Sequence, residues 1–175
     1  SVVEKLNLGQ SHIEGVTNEE LRRHIAAKSY VASSNPLDIA DSEIVVIAVP
    51  TPLDSNRKPD LSYIESACRT IGENLENPAL IINESTSYPG TLRNEIAAVI
   101  EDGSGLGHMY AASPERVDPG RTDFNQKNTP RLYSGLTLDP ALRTRDFYSR
   151  FCDRLVEVSS PEVAEAAKLF ENTFR

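Results

Sequence analysis

Apolar positions in this chain alternate between continuous short runs and stretches of helical spacing. Val45-Val46-Ile47-Ala48-Val49, Leu80-Ile81-Ile82 and Met109-Tyr110-Ala111-Ala112 are unbroken runs of strand length. Between them Leu61, Ile64, Cys68, Ile71 and Leu75 recur at helical spacing and stop at Asn77-Pro78. Leu92, Ile96, Val99 and Ile100 mark a further helix that opens near Gly90. Strands alternating with helices read as βα units, hence a parallel sheet flanked by helices. Upstream, Val2 to Leu6 reads as helix stopped by Gly9, and Thr17-Asn18-Glu19-Glu20 fits a capping box before Leu21 and Ile25. Tyr30-Val31-Ala32 is expected to be a short strand and Pro36 to Ala40 a helical turn. Downstream, residues 113 to 130 form a polar loop without periodicity, and Arg131-Leu132-Tyr133 is a short strand. A helix from Asp139 through Phe151 and a strand from Leu155 to Val158 follow. Ser160-Pro161-Glu162 then opens a last helix, on which Leu169 and Phe174 are expected to face the core.

Each of the three apolar runs leads into a proline-punctuated polar segment. In a parallel sheet the strands share one carboxyl edge, where ligands bind. Thr51, Thr86 and Glu115 are therefore expected to converge there. Pro114 cannot continue a central strand, so the chain turns and exposes Glu115. A carboxylate so placed could act as a general base or position a water, although a lone loop glutamate more often reads as solvated. The Thr86 hydroxyl could hold a phosphate, a ribose or a water; taken alone, Glu84-Ser85-Thr86 is as easily a turn approaching a helix. Lys168 and Asn172, four residues apart, share one helix face. A lysine aimed into a site stabilises an oxyanion, whereas spacing alone equally allows a surface pair with Glu165.

Composition narrows the classes. With 175 residues the chain makes one domain, or one and a piece, and its 39% hydrophobic and 25% charged content is that of a soluble globular protein. A net charge of -8 argues against a nucleic-acid surface, but not against small anionic ligands, which helix N-termini bind. Two cysteines, Cys68 and Cys152, fit a reducing cytoplasm and read as core thiols. No stretch approaches the ~18 apolar residues of a membrane span, and no signal peptide opens the chain. Gly103, Gly105 and Gly107 follow a helix and precede a strand, the reverse of a dinucleotide loop, and so read as a turn. His12, His24 and His108 show no metal spacing. A cytoplasmic protein without metal, nucleic-acid or membrane partners is expected.

VVIAVPTPLD, NESTSYPGT, SPERVDPGR and AEAAKLFENTFR, in this order, closely resemble the nucleotide-sugar 6-dehydrogenases that act on UDP-glucose, UDP-N-acetylhexosamines and GDP-mannose. The resemblance covers nearly the whole chain. It implies an α/β, Rossmann-like, mostly parallel sheet flanked by helices, and NAD as cofactor. Residues 1–160 would be a partial NAD-binding domain, incomplete at its start, and 161–175 the opening of the central helix that leads to a substrate-binding domain. The family oxidises the sugar C6 alcohol to a carboxylate in two steps through a thioester. By resemblance Glu115 handles water and protons in thioester hydrolysis, Thr86 lies beside that water and the nicotinamide, Lys168 steadies the oxyanion, and Asn172 is its partner. Val49, Pro50, Thr51, Ser85 and Thr86 fall where the family lines its NAD cleft. SPERVDPG points to bacterial polysaccharide enzymes and a UDP-N-acetyl-mannosamine or -glucosamine substrate, with UDP-glucose as the alternative and a noncatalytic nucleotide- or partner-binding domain as another. Ser87 stands where valine is more usual, and Arg131 and Ser134 where lysine and glycine are commoner. The glycine-rich loop and the catalytic cysteine are not matched, so the chain reads as an inactive piece of an enzyme that forms homodimers or higher oligomers.

Overall fold

The computed structural model describes residues 1–13, 15–55, 58–117 and 125–174, which form two compact units, Ser1–Asp38 and Ile39–Arg175. In the first, α1 (Val2–Asn7) and α2 (Asn18–Ala26) follow the capping logic of the sequence. Thr17 Oγ1 accepts the Glu20 N–H at 3.2 Å while the Glu20 carboxylate accepts the Thr17 N–H at 3.0 Å, so two of the donors orphaned at the helix start are satisfied. Tyr30-Val31-Ala32 does not form the expected strand. The Asn7 side-chain amide takes both ladder groups of Ala32, donating to its carbonyl at 2.8 Å and accepting its N–H at 2.9 Å. A side chain has replaced the partner strand.

The second unit carries one sheet with strands in chain order: β1 (Ile44–Ile47), β2 (Leu80–Asn83), β3 (Met109–Ala112), β4 (Arg131–Gly135) and β5 (Leu155–Glu157). β1, β2 and β3 are mutually parallel, as expected. β4 runs antiparallel to β3, and β5 runs parallel to β4. Alternating side chains build two cores. Ile47, Ile81 and Tyr110 pack with α3 (Ser62–Asn74) and α4 (Ala97–Ser104), whereas Leu80, Ile82 and Ala111 pack with Tyr148 of α5 (Leu138–Tyr148). β2 is dark on both faces, which explains its continuous apolar run. One wide turn, Leu92–Ile96, precedes α4. α6 (Pro161–Thr173) packs over β3 and β4, with Ala164 in the α3–α4 core. Phe174, expected to face inward, is instead 75% exposed and lies against Phe170, ring centroids 4.6 Å apart. The stretch from 161 to 174 offers more apolar faces than this sheet can cover.

α3 and α4 touch through glycine. A Cβ on Gly72 would meet the Ile100 carbonyl oxygen at 2.8 Å, and one on Gly103 would meet Gly72 backbone at 3.2 Å. The glycine cluster ends α4 as the turn the sequence suggests, with Gly105 at φ +62. Beyond it, buried His108 accepts the Ala79 N–H on Nδ1 at 3.1 Å, so the ring is the Nε2–H tautomer and donates to Ser104 Oγ at 3.0 Å. Burial pushes His108 below its ordinary 6.5, with Glu101 opposing weakly. A depressed histidine stabilises the fold above its unfolded value, and that stability is lost as pH falls. Thermal stability should therefore decline as pH drops from about 7 toward 5. His108→Phe should cost about 1–3 kcal/mol at neutral pH, through the unpaired Ala79 N–H, and flatten that slope in a melt series. Glu101 falls outside this window. Burial pushes it up, but Tyr110 and the Gly107 and His108 amides outweigh that and hold it low.

Candidate active site

The carboxyl ends of β1, β2 and β3 open into a cleft of about 430 Å³, within the range of small-ligand sites. Val49, Pro50 and Thr51 beyond β1, Ser85 and Thr86 beyond β2, Glu115 beyond β3, and Lys168 from α6 all line it. Seven of the eight expected residues thus share one hollow. Asn172, one turn beyond Lys168, is exposed and does not line it. Asp118, Pro119, Gly120 and Arg121 of the third motif lie outside the described residues.

Each segment is held by its own polar ties. Ser85 Oγ accepts the Val49 N–H at 2.8 Å and donates to the Ile47 carbonyl at 3.4 Å. Its hydroxyl is spent on shaping the β1 loop. Thr51 and Thr86 stay half-exposed at the cleft, the neutral donors and acceptors a ribose or carboxamide needs. Asn83 closes the next turn, accepting the Ser85 N–H at 3.2 Å and donating to Ser87 Oγ at 3.2 Å. Ser87 donates in turn to Glu165 at 3.2 Å. Glu165 also accepts the N–H groups of Gly90 at 2.7 Å and Leu92 at 2.9 Å, so α6 caps the turn preceding α4. Burial raises Glu165 above its usual range despite these donors. Lys168, 9% exposed, follows one turn later on the same helix and reaches the cleft.

Sequence reasoning missed the other half of the site. Because β4 is antiparallel, with Ala112 opposite Ser134, its first residue extends past the end of β3 alongside Ser113 and Glu115. That residue is Arg131. Its side chain is 4% exposed, with Nη1 2.9 Å from Glu84 and Nη2 2.8 Å from Glu115. The guanidinium carbon lies 4.3 Å from the Tyr148 ring centroid, and the Tyr148 hydroxyl donates to Glu84. Glu115 also accepts the N–H groups of Arg116 at 2.6 Å and Val117 at 2.7 Å. Arg116 itself grips Glu171 of α6 and the Pro130 carbonyl. Two signals were available: Arg131 stands where lysine is commoner in the family it resembles, and an arginine in a short apolar strand needs a partner, since an unpaired charge is not tolerated there.

Residues 1–151 match the family model described as the UDP-glucose/GDP-mannose dehydrogenase family, NAD binding domain. The chain is 35% identical over 164 residues to Protein CapL of Staphylococcus aureus, covering 91% of this chain and 39% of that protein. It is 35% identical over 179 residues to a UDP-N-acetyl-D-mannosamine dehydrogenase of Pyrococcus horikoshii, covering 99% and 42%. The solved UDP-D-ManNAc dehydrogenase of P. horikoshii superposes with a TM-score of 0.90 at 34% identity, over 99% of this chain and 42% of that one. The chain thus spans about two-fifths of the length of the curated relatives it matches. The Rossmann-like, mostly parallel fold and the NAD cofactor expected from the sequence are both borne out.

Proposed function

The chain belongs to the UDP-glucose/GDP-mannose dehydrogenase family, and from that premise we propose that it is the cofactor-side part of an enzyme that oxidises the C6 alcohol of a UDP-N-acetylhexosamine to the uronic acid, for polysaccharide synthesis. The observation that carries this reading is the single hollow at the strand ends, where two half-exposed threonines, a carboxylate and a lysine meet. Residues 1–160 serve as NAD-binding domain, and 161–175 open the helix that connects to the substrate side. NAD, when bound, supplies the hydride acceptor.

The β1 loop from Val49 to Thr51 and the Thr86 hydroxyl would hold the cofactor, with Ser85 acting behind them through its bond to Val49. Lys168, itself nearly buried, places its cation where an oxyanion develops. Asn172 is assigned as its partner on the family resemblance, since its side chain is exposed and does not line the cleft. Glu115 keeps one acceptor site after its three N–H contacts, enough to orient a water beside Thr86 for thioester hydrolysis. The thiol of that step is not Cys68, which burial pushes up to about 12, nor Cys152, which burial also raises. The names of the relatives, a UDP-N-acetyl-D-mannosamine dehydrogenase among them, support the N-acetylhexosamine over UDP-glucose.

The test is NADH production by the full-length enzyme with UDP-ManNAc, UDP-GlcNAc and UDP-glucose. Turnover with neither N-acetylhexosamine overturns the substrate. Glu115→Gln should leave the first NADH of a single turnover intact and slow acid release about 10²–10³-fold. Unimpaired release removes Glu115 from the role.

A further inference from the structure

Two of the cleft-lining residues, Glu84 and Glu115, are carboxylates, and both are tied to one buried guanidinium. We propose that Arg131 is a positioning residue: it couples Glu84 and Glu115 into a single unit and fixes the orientation in which Glu115 meets the cleft. The role presupposes the dehydrogenase reading for its catalytic consequence, but not for its geometry.

Four features set this apart from an ordinary ion pair. Arg131 uses separate arms for the two acids, Nη1 for Glu84 and Nη2 for Glu115, so it bridges them rather than choosing between them. Nη1 also donates to the Ser113 carbonyl at 3.2 Å, which pins the fork to the end of β3. The flat face of the guanidinium rests on Tyr148, whose hydroxyl returns to Glu84, so neither the arginine nor that acid can swing without breaking the other's contacts. Finally, the Glu115 N–H donates to the Glu84 carbonyl at 3.2 Å, so backbone and side chains join the same two segments.

The electrostatic setting makes the bridge necessary. Other charged or titratable groups nearby are Tyr148 of α5, Cys152 just beyond it, and Lys168 of α6 in the cleft; Arg116, beside Glu115, is engaged with Glu171. Without Arg131, two carboxylates would line the cleft with no guanidinium between them, and like charges repel. A lysine at 131 would supply a point charge without the two-armed fork. That distinction makes the proposal testable.

The experiment is a pair of double-mutant cycles in the full-length enzyme, reading denaturant unfolding, kcat and the KM for NAD for wild type, R131K, R131M, E84Q, E115Q, R131M/E84Q and R131M/E115Q. Each double variant should unfold at clearly less than the summed cost of its two single variants, because the bridge is lost once and not twice. R131M should lower kcat about tenfold or more and R131K by less, with the KM for NAD within about twofold, and R131M should add little to E115Q because Arg131 acts through Glu115. Should R131M fail to fold, R131K combined with E84Q and with E115Q closes the same cycles. Additive unfolding costs in both cycles, or a kcat that R131M and R131K leave unchanged, overturn the proposal. Non-additive unfolding in an enzyme without dehydrogenase activity sinks the proposed function and leaves the coupling standing. Activity with additive unfolding does the reverse.

Discussion

Glu165→Leu is expected to destabilise the protein by about 3–5 kcal/mol, enough to abolish most of the stability of a typical domain. The carboxylate is fully buried and accepts from Gly90, Leu92 and Ser87. Leucine fills a similar volume but leaves those three donors with no acceptor, and burial denies them water. Denaturant unfolding of Glu165→Leu beside Glu165→Gln separates the two contributions. Glutamine retains one acceptor oxygen and should cost less than half as much. It should also change the pH dependence. Burial holds Glu165 above its ordinary 4.5, so its folded-state charge is a liability that grows as pH rises through the shifted value. The favourable window lies below 4.5, and Glu165→Gln should remove the decline above it. Equal stability of Glu165→Leu and wild type would mean that α6 does not cap the Gly90 turn.

Lys168→Met in the full-length enzyme should lower kcat about 10²–10³-fold with little change in the KM for NAD. Methionine keeps the length of the aliphatic stem while removing the cation. The loss should therefore fall on the chemical steps. A rise in the KM for NAD with kcat intact would move Lys168 from oxyanion stabilisation to cofactor binding. Wild-type melting temperature in the variant is the control, since Lys168 sits one turn from the Glu165 cap.

The parallel half of the sheet was legible because a strand buried on both faces must be apolar at every position, as Leu80-Ile81-Ile82 is. Once those runs are parallel, the polar residues after them share an edge, so Thr51, Thr86 and Glu115 could be placed together without coordinates. The direction of β4 was not legible. A short strand such as Arg131-Leu132-Tyr133 looks the same read either way, and its orientation follows from pairing with β3 across a polar loop. Arg131 stayed hidden with it. The role of Glu165 was not legible for another reason. Helical spacing relates it to Lys168 on its own helix, but its partners Gly90 and Leu92 lie far upstream, and no local pattern marks such a cap. Tyr30-Val31-Ala32 carries strand propensity, which the Asn7 amide satisfies in place of a neighbouring strand.

The Gly72–Gly103 contact sets the spacing of α3 and α4 with main chain alone, a spacer of zero thickness. A methyl at either position acts as a wedge driven between two rods. The segment from Leu92 to Gly103 is the longer arm of that lever, running about 16 Å from the wedge to the Leu92 amide that seats on Glu165. A methyl between two packed helices is therefore felt at the turn that Glu165 caps, one helical turn before Lys168.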